Sequence, residues 1–258
     1  NGDGQITEWV GLREEFDPNK DKQMGSGWYG IVPDPTVDNT VWAASGGVPG
    51  QIVRLSIGDN PPETCISEYY QPPFENPDAP IHGYSPRGID IDQNGIIWTA
   101  LSGSGHIAKF DRSRCTVLNG PTATGQHCPE GWTLYATPGP QMKGVSDHGS
   151  ADFHYYNWVD QFDTLGLGKN IPIATGSTSD ALLAFLPEEE EFVIMRVPYP
   201  MGFYSRGMDG RIDDPNTGWK GRAVWADYGT NAVWHTEGGK GTQSNLVKFQ
   251  VRPNPLAH

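Results

Sequence analysis

Near the C-terminal end, "VWHTEGG" sets His235 two residues before Glu237. On a strand, residues i and i+2 share a face, so an imidazole and a carboxylate at this spacing suit a metal pair or an acid–base pair. The "GGKG" that follows would admit a ligand or a second backbone at close range. It serves equally as a hairpin turn with His235 packed beside Trp225. A second group is spread along the chain: Trp28 and Tyr29; His82, Tyr84 and Arg87; His154, Tyr155 and Tyr156; Tyr204 and Arg206. Aromatic rings with two arginines and two histidines suit gripping an anionic or aromatic ligand by stacking and forked hydrogen bonds. The same residues could instead seal one end of the fold and pair with aspartates such as Asp90 and Asp209. Both uses stay open.

A third group concerns metals. The chain opens on "NGDGQITEWV", and a calcium loop wants oxygen ligands at alternate positions with a Gly at position six. With Asn1 at position three, Asp3 falls at five, Gly4 at six, Gln5 at seven through its carbonyl, and Thr7 at nine. Position twelve is then Val10 rather than a bidentate carboxylate, and the first ligand would lie ahead of Asn1. A site made from these residues alone would be weak, and the same letters make a good hairpin turn. Calcium or another divalent metal is the cofactor to expect, chiefly in a longer parent protein. "RGMDGRIDDP" places Asp209, Asp213 and Asp214 between Arg206 and Arg211, where internal pairing satisfies the same charges that a cation would. No G-x-S-x-G elbow, H-E-x-x-H, P-loop or C-x-x-C-H occurs, so no nucleotide, haem or flavin cofactor is expected.

These residues are positioned by an internal repeat. "GWYGIVPDPTVDNTVWAASGGVPGQIVRLSI", "YSPRGIDIDQNGIIWTALSGSGHIAKFD" and "FYSRGMDGRIDD…GRAVWADYG…NLVKFQV" share one order: a Gly before an apolar residue, a turn, an apolar–Trp pair, then an apolar–basic–apolar strand. Gly88 follows Gly30 by 58 residues and Gly207 follows Gly88 by 119, nearly twice that spacing. A fourth copy without the Trp fits near residue 150. Each unit reads as three or four short alternating strands, with the Glu run of "EEEEFVIMRVPYP" as a solvated hairpin tip. Repeated four-stranded units of this length predict an all-β β-propeller, with a β-sandwich as the runner-up. Blades are expected over about 27–83, 84–147, 148–202 and 203–258. Residues 1–26 would form the outer strand of a preceding blade and a linker. In a propeller the residues just before each repeat Gly converge on one mouth of the central channel, which would gather the aromatic, Arg and His group.

The pattern G-I-x-x-D-x-x-G-x-I-W followed by G-x-I-A-K-F-D resembles the virginiamycin B lyase-like, or streptogramin lyase, propellers. "NGPTATGQHCPEGWTLY", "GMDGRIDDP" and "EGGKGT…VKFQVRPNPLAH" resemble the C-terminal half of large secreted bacterial proteins that join a carboxypeptidase-regulatory-like domain to such a propeller. The first resemblance implies metal-assisted elimination, with Glu237 in the place of the family's W-F-x-E glutamate and His235 where Phe is usual. The second implies a missing N-terminal part of the parent chain as a partner.

Composition bounds the rest. In 258 residues there are 33 Gly and 22 Pro, which favours turns over helices, while nine Trp and ten Tyr need a core to bury them. A formal charge of −13 disfavours nucleic acid, and no apolar run is long enough to span a membrane. Cys115 and Cys128 bracket a loop short enough for a disulfide to close, leaving Cys65 free; two free thiols in a reducing compartment are the alternative. A periplasmic or extracellular location follows from the bridge. Two functions stand. One is an exported propeller, part of a larger secreted protein, that binds a small-molecule or glycan ligand at the channel mouth. The other is a metal-assisted lyase or lactone hydrolase using His235 or Glu237 as base.

Overall fold

Alternating side chains and tight turns set the strands. In a computed structural model that describes all residues except 2, 4, 12, 26, 142–148, 199–202, 212–221, 229–244 and 251–258, the chain is all-β. The only helical pieces among these residues are two three-residue 3-10 turns, Arg112–Arg114 and Pro129–Gly131. Strands β1 (Trp9–Val10) and β2 (Asp21–Lys22) form a short parallel pair. The first large sheet holds β3 (Gly30–Pro33), β4 (Thr40–Ser45), β5 (Gln51–Ser56) and β6 (Ile66–Tyr70). The second holds β7 (Pro86–Ile91), β8 (Ile97–Leu101), β9 (His106–Phe110) and β10 (Trp132–Ala136). The third holds β11 (Asn157–Asp160), β12 (Ile171–Gly176), β13 (Ala181–Leu186) and β14 (Glu191–Arg196), and the fourth β15 (Met208–Arg211), β16 (Ala223–Tyr228) and β17 (Asn245–Phe249). Every strand of these sheets pairs with its sequence neighbours, the up-and-down order of propeller blades. The fourth sheet has three strands among the described residues, where four were expected.

The turns are self-sufficient. An aspartate follows the start of each of the first three sheets at the same repeat position: Asp34, Asp92 and Asp160. Asp34 accepts from the Thr36 N–H and hydroxyl at 2.9 and 2.7 Å, and its other oxygen takes the Trp42 indole N–H at 2.9 Å. Asp92 accepts from the N–H groups of Asn94 and Ile96, and Asp160 from those of Thr164 and Leu165. Each carboxylate satisfies the turn donors that no strand can reach. The Glu run forms the exposed turn between β13 and β14, with Leu186 opposite Glu191.

The chain divides into two compact units, Asn1–Tyr135 and Ala136–His258. In the first, Trp42, Ala44, Ile52 and Tyr70 of the first sheet pack in one core with Ile89, Ile91, Ile97, Leu101 and Phe110 of the second. Tyr70 and Phe110 lie 4.6 Å apart and Trp42 and Phe110 6.1 Å, centre to centre. In the second unit, Ile171, Ile173, Leu182 and Ala184 of the third sheet meet Met208, Val224, Ala226 and Phe249 of the fourth. Each large side chain buried this way contributes about 1.5–3 kcal/mol. Cys115 and Cys128 are joined by a disulfide and Cys65 is free. The bridge closes a short loop beside the second sheet, worth roughly 3 kcal/mol in the chain-entropy account. No helix among the described residues is long and apolar enough to cross a membrane.

One ion cluster ties the first sheet to the second. Glu68 on β6 is 4% exposed and accepts both Nε and Nη2 of Arg112, at 2.6 and 2.7 Å, from the turn after β9. It also takes Arg54 Nη1 at 3.3 Å and the Tyr70 hydroxyl at 2.7 Å. The bond to Glu68 holds the Arg112 guanidinium charged, and burial, then the Glu68 charge, pushes the Tyr70 hydroxyl well above its ordinary range. Removing the one anion strands two guanidinium groups. Glu68→Gln is therefore expected to destabilise the folded state by roughly 3–5 kcal/mol, measured by denaturant melts. A change under about 1 kcal/mol, the worth of a surface pair, would show the cluster to be ornamental.

Candidate functional site

Arg87 is placed by an irregularity in β7. The pairing of β7 with β8 slips between Pro86 and Gly88, so Arg87 stands opposite no residue of β8. A bulge of this kind re-aims a side chain, and the Arg87 guanidinium lies 4.6 Å above the ring of Tyr29, just before β3. The second unit repeats the arrangement. Arg206 precedes Gly207 as Arg87 precedes Gly88, and it lies 5.5 Å from the Tyr155 ring and 5.8 Å from that of Tyr204. Tyr155 stands just before β11, two residues ahead of Asn157, at the repeat position of Tyr29. Phe153 completes the cage: it stacks on Tyr204 at 6.4 Å with 11° between planes, and meets Tyr155 edge-on at 5.9 Å.

The cage is held from behind. Asp227 accepts the backbone N–H groups of Arg206 and Gly207 at 3.0 and 2.7 Å and the Ser205 hydroxyl at 3.3 Å. Thr175 Oγ1 takes the N–H groups of Tyr155 and Tyr156, both at 3.0 Å. Arg206 is exposed, and its guanidinium has no carboxylate within ion-pair distance among the described residues. A guanidinium drawn to ring faces still has N–H donors to offer a planar anion.

The other expected residues fall elsewhere. His154 does not face a ligand: it is fully buried, and alternation along the backbone sends it away from Phe153 and Tyr155. Its Nδ1 donates to the Thr175 carbonyl at 2.9 Å, since a carbonyl can only accept. Nε2 therefore accepts from the Thr137 hydroxyl at 2.7 Å, which in turn meets Ser150 Oγ at 2.6 Å. Tyr156 packs against the core of the second unit. Trp28 turns away from Arg87 into a cleft over the outer face of the first sheet, about 1060 Å³ in volume, which Trp9, Phe16, Ile31, Val53 and Leu55 also line. Tyr84 packs edge-on against Phe74 at 5.5 Å, and His82 is exposed. His235 and Glu237 lie outside the described residues, as do Asp213 and Asp214.

At the chain start, Asp3 accepts from Asn1 Nδ2 at 2.9 Å and from the Gln5 N–H at 2.8 Å, while Asn1 Oδ1 takes the Asp3 N–H at 3.1 Å. Asn1 thus offers Asp3 a donor, which is opposite in polarity to what a cation needs beside it. Gln5 and Thr7 are exposed. Among the described residues no group of three His, Cys, Asp or Glu could hold a metal ion.

No known protein family and no curated protein matches the chain. Among solved structures it is similar to a catalytically inactive virginiamycin B lyase from Staphylococcus aureus with quinupristin, at 15% identity and a TM-score of 0.47, covering 90% of this chain and 58% of that one. It is similar also to a streptogramin B lyase, at 14% identity and a TM-score of 0.41, covering 89% and 70% of the two chains. This chain thus spans 58% of the length of the first of these proteins. The likeness is one of general fold, and no residue role is carried across from it.

Burial lowers the His154 pKa below its ordinary value; the charge of Asp152 and the bond to Thr175 oppose this without overcoming it. A histidine kept neutral in the fold binds its proton only when unfolded. Its contribution is complete above about pH 6.5, the free value, and is lost as pH falls below that. Stability measured from pH 8 to 5 is expected to fall below pH 6.5, and His154→Gln to flatten that part of the curve.

Proposed function

We propose that the chain is an exported ligand-binding propeller segment of a larger secreted protein. Its arginine–tyrosine pairs grip a small anionic ligand that carries an aromatic or sugar ring. One observation carries the reading: the same cation over the same ring recurs at equivalent repeat positions, Arg87 over Tyr29 and Arg206 over Tyr155. Arg206 is exposed, so packing alone gives no reason for its place there. A carboxylate or phosphate would take the guanidinium edge in a forked contact, while Tyr204 and Phe153 offer ring faces for stacking. In a protein of net charge −13, such a site depends on contact rather than on long-range attraction. The disulfide accords with an oxidising compartment.

The test is a calorimetric screen of aryl carboxylates, sugar phosphates and uronic acids. For a ligand that binds, Arg206→Ala is expected to weaken affinity at least about tenfold, near 1.4 kcal/mol, and Arg206→Lys to restore only part of it. Binding that ignores both substitutions would overturn the reading. Turnover of a cyclic ester or lactone that a chelator abolishes would favour the metal-assisted lyase or hydrolase instead, with His235 and Glu237 as the residues to substitute.

A further inference from the structure

The loop between the two bridged cysteines is a strap laid against β6. Its ends, Cys115 and Cys128, are joined covalently, and the part between them is hydrogen-bonded to β6 and to the residues just after it. Asn119 Nδ2 donates to the Ser67 carbonyl at 3.5 Å, the Gln71 N–H to the Gly125 carbonyl at 2.8 Å, and the Phe74 N–H to Gln126 Oε1 at 3.4 Å. Gly125 is a point of very close approach. It has φ +103°, and a Cβ there would lie 2.7 Å from the Gln71 side chain and 2.9 Å from the Tyr69 ring.

His127 fastens the strap from inside. Its ring lies 5.2 Å from that of Tyr70 and 6.4 Å from that of Tyr69, centre to centre. Nδ1 accepts the Gly125 N–H at 3.1 Å, so the neutral ring carries its proton on Nε2. Nε2 is buried and has no hydrogen-bond partner among the described residues. The titratable and charged groups facing the ring are Glu68, Tyr69 and Tyr70 of β6, Arg112 behind Glu68, and Glu130 of the turn before β10. Neither carboxylate bonds the ring, and both are engaged elsewhere. Glu68 serves Arg112, Arg54 and Tyr70, and Glu130 takes the Thr116 N–H and hydroxyl. A proton added at Nδ1 would point at the Gly125 N–H, donor against donor, and leave a half-buried charge with no anion bonded to it.

We propose that this strap is a pH-sensitive latch: protonation of His127 frees Gly125 and Gln126 from the chain around the end of β6, while the Cys115–Cys128 bridge holds both ends in place. One residue couples the two events. Gly125 donates to His127 and accepts from Gln71, so turning the ring away shifts the backbone that Gln71 holds. Burial lowers the His127 pKa below its ordinary value, against the charges of Glu130 and Glu68. The closed strap thus binds fewer protons than the open one. It is closed above about pH 6.5, the free value, and opens as pH falls below that. Opening uncovers the rings of Tyr69 and Tyr70, and the Tyr70 hydroxyl is one of the donors that Glu68 uses. The latch lies wholly within the first unit and is independent of the ligand reading.

The test uses the whole chain with its bridge intact, and amide hydrogen exchange read by NMR as protection factors, which remove the intrinsic effect of pH. Between pH 7.5 and 5 the protection of Gly125 and Gln71 is expected to fall at least about tenfold. Ala108 of β9, inside the second sheet, should keep its own. His127→Gln retains an acceptor for the Gly125 N–H but takes no proton, so its strap should stay protected at both pH values. His154→Gln, in the second unit, should leave the response of Gly125 unchanged. In the wild-type chain the His127 ring protons should titrate with the same midpoint as the loss of Gly125 protection, which decides the matter should His127→Gln lose its fold. Protection of Gly125 that ignores pH would overturn the proposal. So would a loss that persists in His127→Gln, that Ala108 shares in equal measure, or whose midpoint departs from that of the His127 ring.

Discussion

A sheet that is apolar on both faces has to be covered twice. Strand β8 reads Ile-Trp-Thr-Ala-Leu and is buried at every position, so it cannot be the half-wet strand of a simple antiparallel layer. The same demand runs through β4 and β13, and it forces the sheets to stack as layers rather than lie side by side. Everything else follows from that stacking. The aromatic cluster of Trp42, Tyr70 and Phe110 exists because two faces meet there, and the Glu68–Arg112 contact exists because two charged side chains are caught at the edge of that meeting.

Stacking also explains where chemistry can occur. Inside the layers only small adjustments are tolerated, so Gly210, whose missing Cβ leaves room for the Trp158 ring, has no freedom to vary. The residues ahead of each first strand escape this constraint, because they lie before the ladder begins. Arg206 and Tyr155 stand there, and the slip within β7 gives Arg87 the same freedom beside Tyr29. The backbone around Arg206 is held by Asp227, so its exposed guanidinium rests on a rigid base, while Arg87 is half-buried.

Much of this is legible in the sequence. The recurring glycines and the tryptophans of β4, β8 and β16 mark three of the four sheets, and hairpin rhythm alone marks the third. The short Cys115–Cys128 loop marks the bridge. Arg87, Arg206, Tyr29, Tyr155 and Tyr204 stand out as one group, but which ring each arginine covers does not, because the pairing of Arg87 with Tyr29 depends on a one-residue slip between Pro86 and Gly88. His154 and Trp28 are misleading for one reason: proximity in sequence to Tyr155 and Tyr29 hides the alternation that turns neighbours to opposite sides. Phe153 is recoverable by that same alternation, two residues before Tyr155. Asp34, Asp92 and Asp160 also recur in register, and a closer alignment of the repeats would expose their shared duty in the turns.

The turn aspartates bear on how the chain acquires its shape. Each closes its own loop using backbone donors within five residues, and each strand pairs with the one made just before it. Contacts of such short range are quick to form for a protein of this class. A sheet can thus be complete while the next is still emerging during synthesis, and the layers are laid down in the order in which they are encoded. Within each unit the first sheet to be made exposes a greasy face, and the second is what hides it.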